Sequence, residues 1–158
     1  MIIKNFTLVI FFFILSCSSV EFIVKDNNQF KNKIFIVNKE NEEVRFTREL
    51  YSFFGNNKSY DYILKTKFLE RKENRIVKQN QVAEKINYTF EVEYKLFYKT
   101  ESCLVFEKEI ISRFSFTPKS FGYNFGADRS FEKLYTNTAR QNIQKFIELA
   151  PLKTTCLK

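Results

Sequence analysis

The stretch VAEKINYTFEVEYKLFYK, Val82 to Lys99, alternates strictly between apolar and polar residues. A period of two predicts a β-strand that buries one face and leaves the other in water or in a polar cavity. The apolar face would carry Val82, Ile86, Tyr88, Phe90, Val92, Tyr94, Leu96 and Tyr98. The opposite face would carry Lys85, Asn87, Thr89, Glu91, Glu93 and Lys95. The sequence therefore predicts a sheet with one face on a hydrophobic core and one face uncovered.

A second strand is expected from Cys103 to Phe116, because apolar residues recur there at alternate positions. The short connection Lys99-Thr100-Glu101-Ser102 would turn this strand back antiparallel to the first one. Its core-facing residues would be Leu104, Phe106, Ile110, Phe114 and Phe116. Two strands of this length make a hairpin much longer than the usual strand length of about five or six residues.

Two further strands are predicted before this hairpin. The run IFIV, Ile34 to Val37, is short and wholly apolar, as in a buried strand. The run YDYILKTKF, Tyr60 to Phe68, alternates between its two faces. One face would carry Tyr60, Tyr62, Leu64, Thr66 and Phe68, and the other Asp61, Lys65 and Lys67.

Two amphipathic helices complete the fold. The first would start after Asn41, a residue type that caps helices, and end at Gly55. The second would start at Asp128 and end before Pro151. Their apolar stripes would be Val44, Thr47, Leu50, Tyr51 and Phe54 in the first, and Phe131, Tyr135, Thr138, Ala139, Ile143, Phe146, Ile147 and Ala150 in the second. This order predicts an α+β fold, a two-layer sandwich with both helices on one face of an approximately four-stranded, mostly antiparallel sheet.

The first sixteen residues have the features of an export signal. Lys4 precedes the apolar run Phe6 to Leu15, which is ten residues long, whereas a membrane-spanning helix needs about 20. The sequence Ile14-Leu15-Ser16-Cys17 resembles the bacterial lipobox, which implies removal of the first sixteen residues and acylation of Cys17. Ser18, rather than Asp, follows, so the periplasmic face of the outer membrane is the expected location. The alternative is an ordinary signal peptide in which Cys17 is incidental.

Residues 17–158 would then form a single domain, a length that suffices for a hydrophobic core. The formal net charge of the chain is +8, and it remains strongly positive without the signal, because Lys4 is the only charge removed. A basic chain with 20 Phe and 8 Tyr suggests nucleic acid. Export makes an anionic lipid or a negatively lined cavity the expected partner instead.

The residue types also exclude most catalytic chemistry. Because the chain has no His, neither a Ser-His-Asp nor a Cys-His arrangement can form. No pair of cysteines has the spacing of metal ligands, and three glycines are too few for a phosphate-binding loop. Glu91 and Glu93 belong to a polar strand face among lysines, where a surface role is expected. No catalytic residue, metal site or cofactor is therefore predicted.

Cys103 and Cys156 are the two cysteines left after Cys17, in an exported chain that permits disulfides. The last strand would run about 43 Å from Cys103 to Phe116. The last helix would run back about 33 Å, so an antiparallel arrangement would bring the tail to the start of the strand. Cys156 would then lie within disulfide distance of Cys103. The alternative, a packed Cys103 and a free thiol at Cys156, stays open.

The order of these elements after a lipobox cysteine resembles the LptE family, the lipoprotein partners of the outer-membrane barrel LptD in lipopolysaccharide assembly. Two stretches carry the resemblance: IVKQNQVAEKINYTFEVEYKLF, Ile76 to Phe97, and FSFTPKSFGYNFGADRSFEKLYTNTARQNIQKFI, Phe114 to Ile147. The family similarly has Gln-x-Ala-Glu entering a strand, then an aromatic-Asn loop, and a helix with Ala on its buried side. The resemblance implies a non-enzymatic domain that plugs the lumen of an LptD-type barrel, assists its folding and contacts lipopolysaccharide.

The resemblance also implies basic contacts with lipopolysaccharide. The family has a basic residue three positions before Gln-x-Ala-Glu, and Lys78 stands there before Gln81. A second basic residue in the loop before the last helix has no exact match, because Asn124 falls near its place. Lys119 and Arg129 are the basic neighbours of that position. For Lys78, the alternative is a solvated loop lysine.

Two other functions stay open. One is an outer-membrane lipoprotein that carries acylated cargo in an apolar cavity, and a half-barrel of many more strands would be its mark. The other is an exported structural or adhesion domain, which needs no partner barrel.

Overall fold

The computed structural model of the protein describes residues 28–37, 43–55, 59–75, 85–117 and 124–157, with the backbone alone at 74, 75 and 124–128. The elements are, in chain order, β1 (Ile34–Val37), α1 (Val44–Phe54), β2 (Tyr62–Arg75), β3 (Lys85–Tyr98), β4 (Leu104–Phe116) and α2 (Asn124–Leu149). The predicted signal segment and Cys17, Asn41, Lys78 and Lys119 lie outside the described residues.

The four strands form one sheet in the order β1-β2-β3-β4. β3 pairs antiparallel with both β2 and β4, so that Val92 lies between Phe68 and Ile110. β1 pairs parallel with β2. A parallel pair needs a crossover connection, and α1 supplies it. Both helices pack into the core on one face of the sheet, which confirms the predicted α+β fold.

β2 differs from its prediction at both ends. The amides of Asp61 and Tyr62 each donate to the Lys33 carbonyl oxygen at 3.0 Å, where the chain enters the sheet. The strand therefore begins at Tyr62, and Tyr60 lies outside it, 38% exposed rather than facing the core. β2 also continues past its expected end to Arg75, so that its length matches that of β3.

β4 differs at its start. Its pairing with β3 shifts by one residue between Leu96 and Phe97, a β-bulge that changes which residues face inward. Val105 is buried as a result, whereas Leu104 pairs with Phe97 on the opposite face. The prediction that Leu104 faces the core is therefore wrong, and the predicted alternation applies from Phe106 onward.

α1 ends at Gly55, as predicted, and the backbone there requires glycine. Its φ of 78° is unfavourable for residues with a Cβ, and a Cβ would lie 2.5 Å from Oδ1 of Asn32. Phe46, at the centre of the buried stripe, is fully buried, whereas Val44 is 79% exposed. Val44 lies about 200° around the helix from Phe46, so its expected place on the stripe is wrong.

α2 begins at Asn124, four residues before the expected start at Asp128. Gly126, interpreted from the sequence as part of a loop, lies in its first turn, since a glycine costs a helix only about 1 kcal/mol. The predicted stripe of α2 is confirmed, with Phe131 partly buried and these residues buried: Tyr135, Thr138, Ala139, Ile143, Phe146, Ile147 and Ala150.

Aromatic rings fill the space between the helices and the sheet. The ring of Phe146 in α2 stacks on that of Tyr94 in β3, with 4.5 Å between the centroids. Phe30 and Phe54 pack against the same Phe146 ring at 6.1 Å. A second group of rings lies nearer the start of α2: Tyr88, Phe90, Phe114, Phe116, Phe131 and Tyr135. Most of the phenylalanine side chains that the structure describes thus lie in the core or pack against it.

One polar side chain, Asn142 of α2, lies in this aromatic core and is fully buried. Its Oδ1 accepts a hydrogen bond from the Tyr94 hydroxyl at 2.7 Å. Its Nδ2 donates to the Ile110 carbonyl oxygen at 3.0 Å and to Oγ of Ser112 at 2.8 Å. Asn142 therefore bonds α2 to both β3 and β4, and it satisfies the buried hydroxyl of Tyr94.

The two most deeply buried tyrosines should make the fold sensitive to alkali. Burial raises the pKa of the Tyr94 and Tyr135 hydroxyls well above the usual value, and the carboxylates of Glu43 and Glu70 add to the shift at Tyr135. The folded state keeps both protons at a pH where unfolded tyrosines lose theirs, so the free energy of unfolding should fall as pH rises above about 10.

Urea unfolding between neutral pH and pH 11 measures this slope. Tyr135→Phe removes one of the two hydroxyls and is expected to make the slope shallower, with Tyr60→Phe at an exposed position as the matched control. An unchanged slope in the Tyr135→Phe variant would contradict the prediction.

The tail after α2 is bonded to the start of β4. Cys103 and Cys156 form a disulfide with an S–S distance of 1.98 Å and a Cα–Cα distance of 4.9 Å. Beside it, the Leu157 amide donates to the Leu104 carbonyl oxygen at 2.6 Å. The structure thus joins the two cysteines at the place where the antiparallel course of β4 and α2 brings them together.

Candidate functional site

The face of the sheet opposite the helices is covered by none of the described elements, and we call it the outer face. Alternation along the four strands decides which side chains belong to it. Its residues are Phe35 and Val37 of β1, Ile63, Lys65, Lys67, Leu69, Arg71 and Glu73 of β2, Asn87, Thr89, Glu91, Glu93, Lys95 and Phe97 of β3, and Leu104, Glu107, Glu109, Ile111, Arg113 and Ser115 of β4. The polar strand face predicted around Glu91 and Glu93 is the centre of this surface.

Ion pairs between and along the strands order the charges of the outer face. Nε of Arg71 lies 2.9 Å from Oε1 of Glu91. Nζ of Lys95 lies 2.9 Å from Oε1 of Glu93 and 3.0 Å from Oε1 of Glu107. The hydrogen bond from Lys95 lowers the pKa of Glu93, and the two carboxylates raise the pKa of Lys95. Exposed ion pairs contribute little to stability, so their main effect is to alternate positive and negative charges over the outer face.

The outer face has two shallow, open depressions, with volumes of about 380 and 580 Å³. The first lies over the middle of the sheet and the second nearer the end where β3 begins. Leu69 and Ile111, each 47% exposed, add apolar area on either side of Glu91. Small-molecule sites are enclosed and mostly apolar, so this surface fits contact with another macromolecule better.

Two arginines flank Thr89 at the second depression. The strand register places Thr89 between Arg71 on β2 and Arg113 on β4. Arg71 is paired with Glu91, whereas Arg113 is exposed and forms no ion pair with any residue that the structure describes. The sequence alone did not place Arg71, because β2 was expected to end at Phe68. The length of β3 was the available signal, since so long a strand needs a partner of similar length.

The end of the sheet at which β3 begins is called the far end here, and it bears on the residues predicted to contact lipopolysaccharide. β2 ends at Arg75 and β4 at Phe116, both beside the start of β3. The connections that carry Lys78 and Lys119 begin there, although these two residues themselves lie outside the described ranges. The Arg129 side chain is exposed near the start of α2, which packs against the same end.

Within the described ranges, no group of His, Cys, Asp and Glu is placed to hold a metal ion. The helices in that part of the chain are also not long and apolar enough to cross a membrane.

Comparisons with protein-family models and with curated proteins give no match. Among solved structures, a candidate lipoprotein from Caulobacter crescentus has a similar fold, with a TM-score of 0.51 at 14% identity over 73% of this chain and 85% of that one. A minor lipoprotein from Acinetobacter baumannii scores 0.49 at 10% identity, over 77% and 90% of the two chains. The rare lipoprotein B from Shewanella oneidensis scores 0.46 at 14% identity, over 73% and 89%.

The last two TM-scores are below 0.5, so the shared fold is argued from the Caulobacter protein alone. At 14% identity that likeness concerns the fold. The chain therefore has a fold that occurs in a candidate bacterial lipoprotein.

Proposed function

We propose that this protein is a lipoprotein at the periplasmic face of the outer membrane, anchored by acyl chains on Cys17 after removal of residues 1–16. There it plugs an LptD-type β-barrel, assists the assembly of that barrel and contacts lipopolysaccharide on its way to the cell surface. The observation that carries the proposal is the outer face, a long sheet surface with alternating polar side chains and no described element over it.

The outer face suits the lumen of a large barrel, because such lumens are polar and hydrated. Several of its carboxylates and cations are already paired, as at Arg71 and Glu91, which reduces the charge that would have to be desolvated without a partner. The exposed Leu69 and Ile111 side chains supply apolar contact area among these polar groups. The resemblance to the LptE family supplies the identity of the barrel, and the shared fold supports the lipoprotein class.

Lipopolysaccharide would meet the far end of the sheet. Lys78, Lys119 and Arg129 are proposed to bind its phosphates, since cationic side chains form strong charge-assisted hydrogen bonds with phosphate oxygens. The topology supports all three assignments. The connections that carry Lys78 and Lys119 begin at this end, and α2, which carries Arg129, starts there.

The cargo-carrier alternative has less support. It calls for a half-barrel of many more strands, whereas the described residues form a four-stranded sheet whose apolar face is filled by the two helices. A non-enzymatic role is favoured, because the structures that resemble this fold include lipoproteins.

Photo-crosslinking in cells tests the proposed function. A crosslinking residue at Thr89 or Glu93 of the full-length chain is expected to capture a large outer-membrane β-barrel, since both positions lie on the outer face. Gln141 and Lys145 on the exposed side of α2 are the comparison positions. Capture from both faces would indicate a plug surrounded by the barrel, and capture from the outer face alone would indicate one-sided docking.

Capture of no barrel from any of the four positions would contradict the proposed function. The mass of the N-terminal peptide of the same purified protein reports whether Cys17 is acylated. An unmodified Cys17 would remove the anchor from the proposal, independently of the barrel.

A further inference from the structure

The end of the sheet opposite the far end gathers several chain segments, and we call it the disulfide end. β1 and β2 begin there, β3 and α2 end there, and the tail follows. The Lys99 amide donates to the Asp61 carbonyl oxygen at 2.8 Å, and Nε2 of Gln29 donates to the Ala150 carbonyl oxygen at 2.8 Å. Together with the disulfide, these bonds hold the disulfide end as one rigid surface.

Apolar side chains are exposed at both edges of the disulfide end. On the β1 edge, the rings of Phe35 and Tyr60 stack with 5.0 Å between centroids, and they are 39% and 38% exposed. The tail leaves Leu152 and Leu157 about half exposed. Leu157 lies at the start of β4, whereas Leu152 precedes Lys153, whose carbonyl oxygen accepts a hydrogen bond from the Tyr62 hydroxyl of β2. Single exposed hydrophobic residues are common on soluble proteins, but a stacked aromatic pair and two exposed leucines on the same end form an apolar rim.

Positive charge surrounds this apolar rim. The lysines of the disulfide end outnumber its carboxylates, with Lys31, Lys33, Lys65, Lys99 and Lys153 against Asp61, Glu101 and Glu148. Lys65 and Glu101 neutralise each other in an ion pair. Lys33, Lys99 and Lys153 are exposed and form no ion pair with a described residue. Aromatic and leucine side chains among lysines are the composition that binds the headgroup region of an anionic bilayer.

The chain also enters the domain at this end. Asn28, the first described residue, donates through Nδ2 to the Phe53 carbonyl oxygen at 2.7 Å, close to the end of α1. Ten residues separate Asn28 from Cys17, and they reach at most about 36 Å. The far end lies about 45 Å further along β3. An acylated Cys17 therefore keeps the disulfide end within the reach of this segment from the bilayer surface.

We propose that the disulfide end docks on the surface of an anionic bilayer, with Phe35 and Tyr60 among the headgroups and Lys33, Lys99 and Lys153 on the lipid phosphates. The orientation rests on the proposed anchor at Cys17, whereas the binding surface itself belongs to the folded domain. The domain thus has a second, weaker contact with the membrane, beside the acyl anchor.

Vesicle binding of the unacylated domain tests this surface without the anchor and without a barrel. The chain from residue 17, with Cys17→Ser, keeps every core residue that the structure describes, from Phe30 onward. It is expected to bind phosphatidylcholine vesicles that contain phosphatidylglycerol and not those of phosphatidylcholine alone. Combining Lys33→Glu, Lys99→Glu and Lys153→Glu should weaken binding by at least about 100-fold, since each lysine near such a surface contributes about a fivefold factor and each glutamate adds repulsion.

Lys72→Glu, Lys108→Glu and Lys133→Glu make the matched control, with the same change of charge at exposed positions away from this end. An equal loss of vesicle binding in both triple variants would mean that net charge alone attracts the domain, and it would overturn the proposal.

Tryptophan fluorescence gives a second test. The chain has no Trp, so Phe35→Trp adds a single tryptophan fluorophore, whose emission should shift to the blue on anionic vesicles. Leu69→Trp on the outer face should not shift.

Absence of the shift at position 35 would also overturn the proposal. A second result would overturn it as well: the variant with Lys33→Glu, Lys99→Glu and Lys153→Glu binds vesicles as the wild-type domain does but no longer crosslinks to the barrel. The disulfide end would then contact the barrel and not the bilayer. Failure of the vesicle test with intact barrel capture leaves the proposed function standing, and the two outcomes are therefore distinguishable.

Discussion

Replacing both Cys103 and Cys156 with alanine is expected to lower the free energy of unfolding by about 4 kcal/mol. The disulfide joins residues 53 positions apart, and in the chain-entropy model a loop of that length restricts the unfolded chain by this amount. Domains have a total stability of only about 5–15 kcal/mol. The variant should therefore unfold at a much lower urea concentration than the wild-type chain.

Reduction provides the matched control for the alanine variant. The wild-type chain in a reducing agent should unfold with the variant, because both lack the bond, and the agent should have no effect on the variant itself. In the denatured, non-reduced wild-type chain, neither Cys103 nor Cys156 should react with a thiol reagent. Two reactive thiols at these positions, or equal urea midpoints with and without reduction, would contradict the prediction.

The arrangement of the strands was largely predictable from alternation. In β3, the even-numbered residues from Ile86 to Leu96 are apolar and the odd-numbered ones are polar, so only one orientation buries the apolar set. The start of β4 was not predictable in the same way. The bulge beside Phe97 depends on how two strands fit together, and it exchanges the environments of Leu104 and Val105. A one-residue shift leaves no trace in the composition of the strand.

The candidate site was predictable only in part. Alternation placed Glu91 and Glu93 on the uncovered face, because each lies between two core residues. The position of Thr89 between Arg71 and Arg113 depends on the register of three strands, which no single segment encodes. The basic residues of the loops have no periodicity to orient them, so their assignment depended on the family resemblance.

Asn142→Leu is expected to lower the free energy of unfolding by about 3 kcal/mol or more. Leucine has a similar volume but cannot form hydrogen bonds, so the buried hydroxyl of Tyr94 would lose its acceptor at 2.7 Å. The Ile110 carbonyl oxygen and Oγ of Ser112 would also lose their donor, Nδ2 of Asn142. Each buried polar group without a partner costs about 1–3 kcal/mol. Asn137→Leu, at an exposed position of α2, is the matched control and should change stability little.

Urea unfolding of Asn142→Leu, Tyr94→Phe and the double variant measures how strongly the two side chains are coupled. Tyr94→Phe removes the stranded hydroxyl, so it should recover about 1–2 kcal/mol of the loss in the Asn142→Leu background. Asn142→Asp adds a test through the pH dependence of stability. A carboxyl buried at this position should have a raised pKa, because burial disfavours its charge. The folded state then binds the proton more tightly than the unfolded state, so the stability of this variant should increase as pH falls from 7 towards 4. Additive effects of the first two substitutions would contradict the predicted hydrogen bond between α2 and β3.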